Sequence, residues 1–324
     1  MSKTKKISVI TRALVFCMLA SSTLLAQVAV NSVTNRIYAE GSGSVAVIDG
    51  STDTILTTIS IPSSIFFGIG INTTTNKIYL SVINALVVID GNTNTIETTL
   101  PFGGFSRIAI DASRNLIYAA DSSAGTAIID GSTNTLLRTA QLNTFVDFLT
   151  FDSRSNIVYS IYGGGANLIA LDPTTNTSTS SSIFYTPSGL VYDPVSDNVL
   201  IAESKGSQSS PSILGIFNGT SHVHTFVQLA QDNGTYGVGV NSSTQLAYVS
   251  TGSGPGVSGH VQVIDLNAKQ VIASIPVPGV TFGLYANIGV NEATNHIYYM
   301  DIPTRRVSVI NGASNTIIDT IALP

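Results

Sequence analysis

The sequence predicts an all-β fold, a seven-bladed β-propeller with four antiparallel strands per blade and one repeat per blade. Three observations predict it. First, one unit is written seven times, and the residues that end its first apolar segment, Asn31, Asn72, Asp111, Asp152, Asp193, Asn241 and Asn291, are separated by 41, 39, 41, 41, 48 and 50 residues. Second, each unit holds four short apolar runs divided by turn residues, with no helical period of useful length. Third, no unit can bury both faces of its own sheet, so each needs a neighbour on either side, and four-stranded units of this length close into a ring. A linear β-solenoid would call for shorter rungs and capping ends.

Residues 1–26 stand outside the repeat. Lys3, Lys5, Lys6 and Arg12 precede the short apolar run Ala13 to Ala20, and SSTLLA follows, ending at Ala26. This is the pattern of a secretory signal cleaved after a small residue. The run is too short to span a membrane as a helix, which takes about 20 apolar residues, so no transmembrane segment is expected once it is removed. Cys17, the one cysteine, lies inside this run and is not preceded by the small residues of a lipidation box. The remaining chain therefore has neither disulfide nor thiol chemistry. Removing residues 1–26 takes away four basic residues and no acidic ones, which moves the formal net charge from −5 to −9. With no basic patch, nucleic acid is not expected as a main partner. The expected product is exported, to the periplasm, the cell surface or the medium, and monomeric.

The blades are expected at about 27–62, 67–101, 106–143, 147–185, 188–229, 236–278 and 286–324. Their strands are A to D in chain order. In strand A, apolar residues sit two apart (Val28 and Val30, Ile69 and Ile71, Ile288 and Val290) and so share a face. The residue between them is small: Ala29, Gly70, Ala109, Thr150, Gly239 or Gly289, with Val191 the exception. Large on one face and small on the other suits the crowding near an axis, so strand A is placed innermost. Strand B repeats a tyrosine (Tyr38, Tyr79, Tyr118, Tyr159, Tyr248, Tyr298; Leu200 in the fifth copy), expected as a ring packed between blades. Strand C ends in Asp49, Asp90, Asp130, Asp172, Asn218, Asp265 or Asn311, followed in four copies by Gly and a Thr/Asn-rich turn. These side chains are expected to bind turn N–H groups, with Gly supplying φ > 0.

The units NSVTNRIYAEGSGSVAVIDGSTDTILTTISIP (31–62), NTTTNKIYLSVINALVVIDGNTNTIETTL (72–100) and NEATNHIYYMDIPTRRVSVINGASNTIIDTIALP (291–324) resemble the YVTN-type β-propeller repeat. The resemblance covers nearly the whole chain after residue 26. It is strongest in copies 1, 2, 3 and 7; copy 5 departs most. It implies an exported bacterial or archaeal propeller and no particular chemistry, since that family shares no single activity.

The A–B and C–D turns of an up-and-down blade lie on one rim, and the B–C and D–A connections on the other. The A–B and C–D turns are short and repetitive, whereas B–C varies, lengthening at Glu203–Ser212 and Ser250–Gly259, and variable loops on a rigid frame are where binding resides. The polar residues expected at that rim are Arg107, Asp147, Tyr236 and Asn287 at the start of strand A, with Glu40, Asp121, Glu203 and Asp301 at the end of strand B. Together they are candidates for a ring around a channel mouth that holds a polar ligand or a divalent cation; no other cofactor is evident. His222 and His224, two apart, would share a strand face but have no third ligand nearby. No nucleophile elbow, P-loop or H-E-x-x-H segment occurs. The function expected is a non-enzymatic scaffold for a protein, a glycan or a small polar ligand. The alternatives are a metal-assisted hydrolase or lyase, lactonase-like with axial carboxylates such as Asp147 and Glu203, and an envelope structural or adhesion protein.

Overall fold

The computed structural model describes residues 27–63, 65–121, 125–142, 146–162, 164–205, 211–230, 234–252, 259–277, 288–301 and 304–324. Residues 1–26, where the sequence predicts a signal, lie outside them. The described residues form twenty-eight strands in seven four-stranded antiparallel sheets, each in the order A-B-C-D, and no helix. This is the seven-bladed propeller the sequence predicts.

Every blade has strand A at one edge of its sheet, and those seven edges face a common channel. The inner strands are Val28–Asn31, Phe66–Asn72, Ile108–Asp111, Phe148–Asp152, Thr186–Asp193, Gly234–Asn241 and Ile288–Asn291. Residues from all seven line the channel. The alternation in strand A has the use the sequence suggests. A Cβ on Gly70 would meet Ile108 Cγ2 of the next blade at 2.5 Å, and one on Gly289 would meet Val30 Cγ2 at 3.0 Å. The small residue of one inner strand thus receives the branched residues of the next.

Burial is divided among the blade interfaces. The buried apolar residues fall into seven clusters, each built from two adjacent blades. In one, Tyr38, Val45 and Val47 of blade 1 pack on Ile69, Ile78 and Leu80 of blade 2. In another, Val28, Ile37 and Ile48 of blade 1 pack on Tyr298, Val307 and Val309 of blade 7. The ring closes by this last contact between the two ends of the repeat. No strand is exchanged, because the first and last sheets each contain four consecutive strands.

The turn rim is regular. In all seven C–D turns the carboxylate or amide oxygen that ends strand C accepts a backbone N–H, as in Asp90 Oδ1 from Asn92 N at 2.8 Å, Asp172 Oδ1 from Thr174 N at 2.7 Å and Asn311 Oδ1 from Ala313 N at 2.9 Å. The expectation for the following glycine needs correction. Gly91 and Gly312 are not among the positive-φ residues; the left-handed position falls on Asn94 (φ 55°) and Asn315 (φ 54°) at the end of the turn. Gly91 is required by space, since a Cβ there would lie 2.4 Å from Asn76 Oδ1. A second left-handed residue closes every A–B turn, among them Asn35 (φ 53°), Asn76 (φ 50°) and Asn295 (φ 55°), a conformation that asparagine tolerates better than other side chains.

Candidate functional site

Two polar belts link the blades, one at each rim. On the turn rim, the residue ending strand A reaches the left-handed A–B residue of the following blade. Asn31 Nδ2 donates to Asn76 Oδ1 at 2.8 Å, Asn72 Nδ2 to Asn115 Oδ1 at 2.7 Å, Asn241 Nδ2 to Asn295 Oδ1 at 2.8 Å, and, across the closing seam, Asn291 Nδ2 to Asn35 Oδ1 at 2.6 Å. An aspartate has no proton to offer, so where the series changes to Asp another donor enters. Arg114 bridges Asp111 and Asn156. The Tyr192 hydroxyl sits between Asp152 and Asp197, donating to Asp197 Oδ1 at 2.9 Å. Gln245 Nε2 donates to Asp193 Oδ2 at 2.9 Å. The residues that end the inner strands are therefore committed to bridging neighbouring blades.

At the B–C/D–A rim the channel opens between side chains of unlike kinds. Gln27 spans blades 1 and 2, donating Nε2 to Phe67 O at 2.8 Å and accepting Ile69 N at 3.2 Å. Arg107 donates Nη1 to Phe67 O at 3.3 Å and to Ser106 O at 2.7 Å, with its guanidinium 5.1 Å from the centre of the Phe148 ring. Ser106 Oγ reaches Val146 O and Asp147 O of blade 4, and Ser188 Oγ lies 2.6 Å from Thr235 Oγ1. The cavity is about 420 Å³, within the range of small-molecule sites. Because its wall is the unpaired edge of seven inner strands, it offers backbone N–H and C=O groups as well as side chains. Arg107 is the one charged side chain lining it among the described residues.

The sequence-derived candidates divide. Arg107 and Tyr236 line the channel, and Tyr236 also packs between blades 6 and 7. Asp147 stands at the entry to blade 4, where its backbone N–H bonds Ile161 O at 3.0 Å. Asn287 lies outside the described residues. Glu40, Glu203 and Asp301 are buried and do not line the channel, so these acidic groups do not form one ring at its mouth. Glu40 Oε2 accepts Gln27 N at 2.9 Å. Burial raises its carboxyl well above the usual range, against the opposing effects of that N–H and of the Arg107 charge. Glu203 Oε2 accepts Tyr185 N at 2.6 Å, and its Oε1 lies 3.4 Å from His224 Nε2. Gly215 makes room for that pair, since a Cβ there would lie 2.0 Å from Glu203 Oε1. Asp301 Oδ2 accepts Thr304 Oγ1. Asp121 ends strand B of blade 3, opposite Gly125. The fifth strand D begins at His224, and His222 belongs to the preceding turn (φ 56°), so the two histidines do not share a strand face. Among the described residues no three His, Cys, Asp or Glu side chains converge.

Sequence reasoning missed Gln27, Ser106, Ser188 and Thr235. Gln27 and Thr235 each occur at their repeat position in one blade, and the serine of Ser106 and Ser188 in two, so recurrence gave no signal for them.

No family model matches the chain, and no curated protein matches it. Among solved structures 1644 chains match, so the fold is widely shared and resemblance to one of them does not select a function. One is the hydrazine synthase of Kuenenia stuttgartiensis, with a TM-score of 0.73 at 12% identity over 90% of this chain and 96% of that one. At that identity the likeness concerns the fold alone.

Proposed function

We propose that the protein is an exported, non-enzymatic propeller scaffold that binds a protein, glycan or small polar ligand on its B–C/D–A rim. The observation that supports this most is the difference between the rims. The turn rim repeats one geometry in every blade and uses the residues ending its inner strands to bridge one blade to the next. The opposite rim carries the connections of unequal length, the channel mouth, and the residues that vary from blade to blade, Gln27, Arg107, Ser188 and Tyr236. The metal-assisted hydrolase reading draws less support, because its carboxylates are engaged separately: Glu203 with Tyr185 N and His224, Glu40 with Gln27 N.

An array of neutral and acidic oligosaccharides, probed with matched variants, tests the proposal. Arg107→Ala and Tyr236→Phe should weaken whatever binding the array detects, and Thr52→Ala with Thr93→Ala on the opposite rim should not. Binding lost only in the second pair contradicts the rim assignment. A rise in melting temperature with millimolar Ca²⁺ or Zn²⁺ that Glu203→Gln abolishes would favour the hydrolase reading, since an ion held by the native state must stabilise it by mass action.

A further inference from the structure

Gln27 is the residue that follows the expected cleavage point, and its backbone nitrogen is in an unusual place. It lies 2.9 Å from Oε2 of Glu40. Gln27 is 2% exposed and Glu40 is 0% exposed. Glu40 returns its own N–H to Gln27 O at 3.0 Å, so the two backbones are locked in register just beyond strand A. The second carboxylate oxygen, Oε1, is buried and has no hydrogen-bond partner. A buried carboxylate with one amide N–H and one orphan oxygen is a costly arrangement. Arg107 acts on Glu40 through its charge.

We propose that cleavage after Ala26 creates a site: the new α-ammonium of Gln27, a residue of the channel lining, is captured by the buried carboxylate of Glu40 behind it. This rests on the exported part of the function proposed above. The step is hydrolysis of the Ala26–Gln27 peptide bond by a host signal-processing peptidase. Water supplies the hydroxyl that stays on Ala26 and the proton that goes to the Gln27 nitrogen; a second proton from solvent completes the ammonium. One neutral donor thereby becomes a group with three N–H donors and a full positive charge, at the same atom and the same distance. Glu40 then holds a charge-matched partner with donors to spare for Oε1, and the pair becomes a buried, hydrogen-bonded ion pair instead of an isolated carboxyl.

The Gln27 side chain has a part in this. Its carboxamide is fixed across the blade boundary by Phe67 O and Ile69 N, while its nitrogen faces Glu40. An N-terminal glutamine cyclises when its amine attacks its own carboxamide carbon and ammonia leaves, and holding the two ends to separate partners opposes that attack. Processing, closure of the first blade boundary and the channel mouth are thus joined in one residue.

Intact-mass and N-terminal analysis of the exported protein should find Gln27 as the first residue, uncyclised. A start at another residue, or loss of ammonia from Gln27, overturns the proposal. The second measurement compares melting of the chain beginning at Gln27 with one retaining Ser22–Ala26, each with Glu40 and with Glu40→Gln. The retained segment should lower the melting temperature by several degrees in the Glu40 background and have little effect in the Glu40→Gln background. Equal melting of the two Glu40 chains, or an equal cost of the segment in both backgrounds, also overturns it. A Gln27 start with equal melting would remove the ion pair while leaving export standing.

Discussion

The tyrosine of strand B shows how much one position contributes, because the fold repeats the experiment. Tyr298 of blade 7 donates to Asp53 Oδ1 of blade 1 at 2.8 Å, whereas Tyr38 of blade 1 lies 3.5 Å from Asn94 Oδ1 of blade 2. The rings are both buried, so removing the hydroxyl changes the polar contact and leaves the packing. Tyr298→Phe should destabilise by about 1–3 kcal/mol, since it deprives a partly buried carboxylate of a short hydrogen bond, and Tyr38→Phe by clearly less; chemical denaturation of the two variants checks this. The tyrosine series was legible in the sequence as a repeat, and so was its packing role. Its partner was not, because Asp53 lies in another blade, 245 residues away. The same holds for the residues ending strand A. Asn31 announced itself by recurrence, but its bond to Asn76 crosses 45 residues, and nothing local in the sequence indicates it. Glu40 and Glu203 end strand B and so read as rim acceptors; what hides them is the segment entering strand A of the same blade, which brings the N–H groups of Gln27 and Tyr185 onto them.

Among the elements, the inner and outer strands have opposite roles. Inner strands crowd, which is why their alternation of branched and small residues could be read directly from a period of two. Outer strands carry exposed apolar residues, such as Ile55 and Leu56 in blade 1 and Ile317 and Ile318 in blade 7. Charge and bulges limit pairing at these edges: Asp319 stands on the last strand, and the register shifts between Val309 and Ile310 opposite it. The last strand, Thr316–Ala322, still anchors the ring, because its Ile321 and the Leu323 that follows it enter the apolar cluster shared by blades 7 and 1. Truncating residues 316–324 should therefore abolish the cooperative melt of the whole ring; a truncated chain that melts like the full one would show that the seam does not depend on this strand.

Across the whole molecule, stability is divided among seven interfaces of one kind, each with a tyrosine or its substitute, an apolar cluster and a polar bridge. Burial pushes the hydroxyls of Tyr38, Tyr79, Tyr118, Tyr159 and Tyr248 up to about 12 from an ordinary 10. The folded state thus favours the neutral phenol. Its contribution to stability is complete below the unfolded value of 10 and is lost as the pH rises through about 12. Alkaline titration should show most of the tyrosinate absorbance appearing together with loss of the β-sheet circular-dichroism signal; ionisation of these tyrosines near their ordinary value with the fold intact would contradict their burial. At the acid end, Asp130 and Asp172 are held below the usual carboxylate range chiefly by the backbone N–H groups of Ser132 and Thr174. That contribution is present above the unfolded carboxylate value and fades as the pH falls through the lowered one.

The blades depend on one another: no sheet buries its faces alone, and the ring closes without an exchanged strand. Differential scanning calorimetry of the protein measures this dependence most directly. One transition is expected, with calorimetric and van't Hoff enthalpies in agreement. Two or more separate transitions, each with the enthalpy of a few blades, would contradict it.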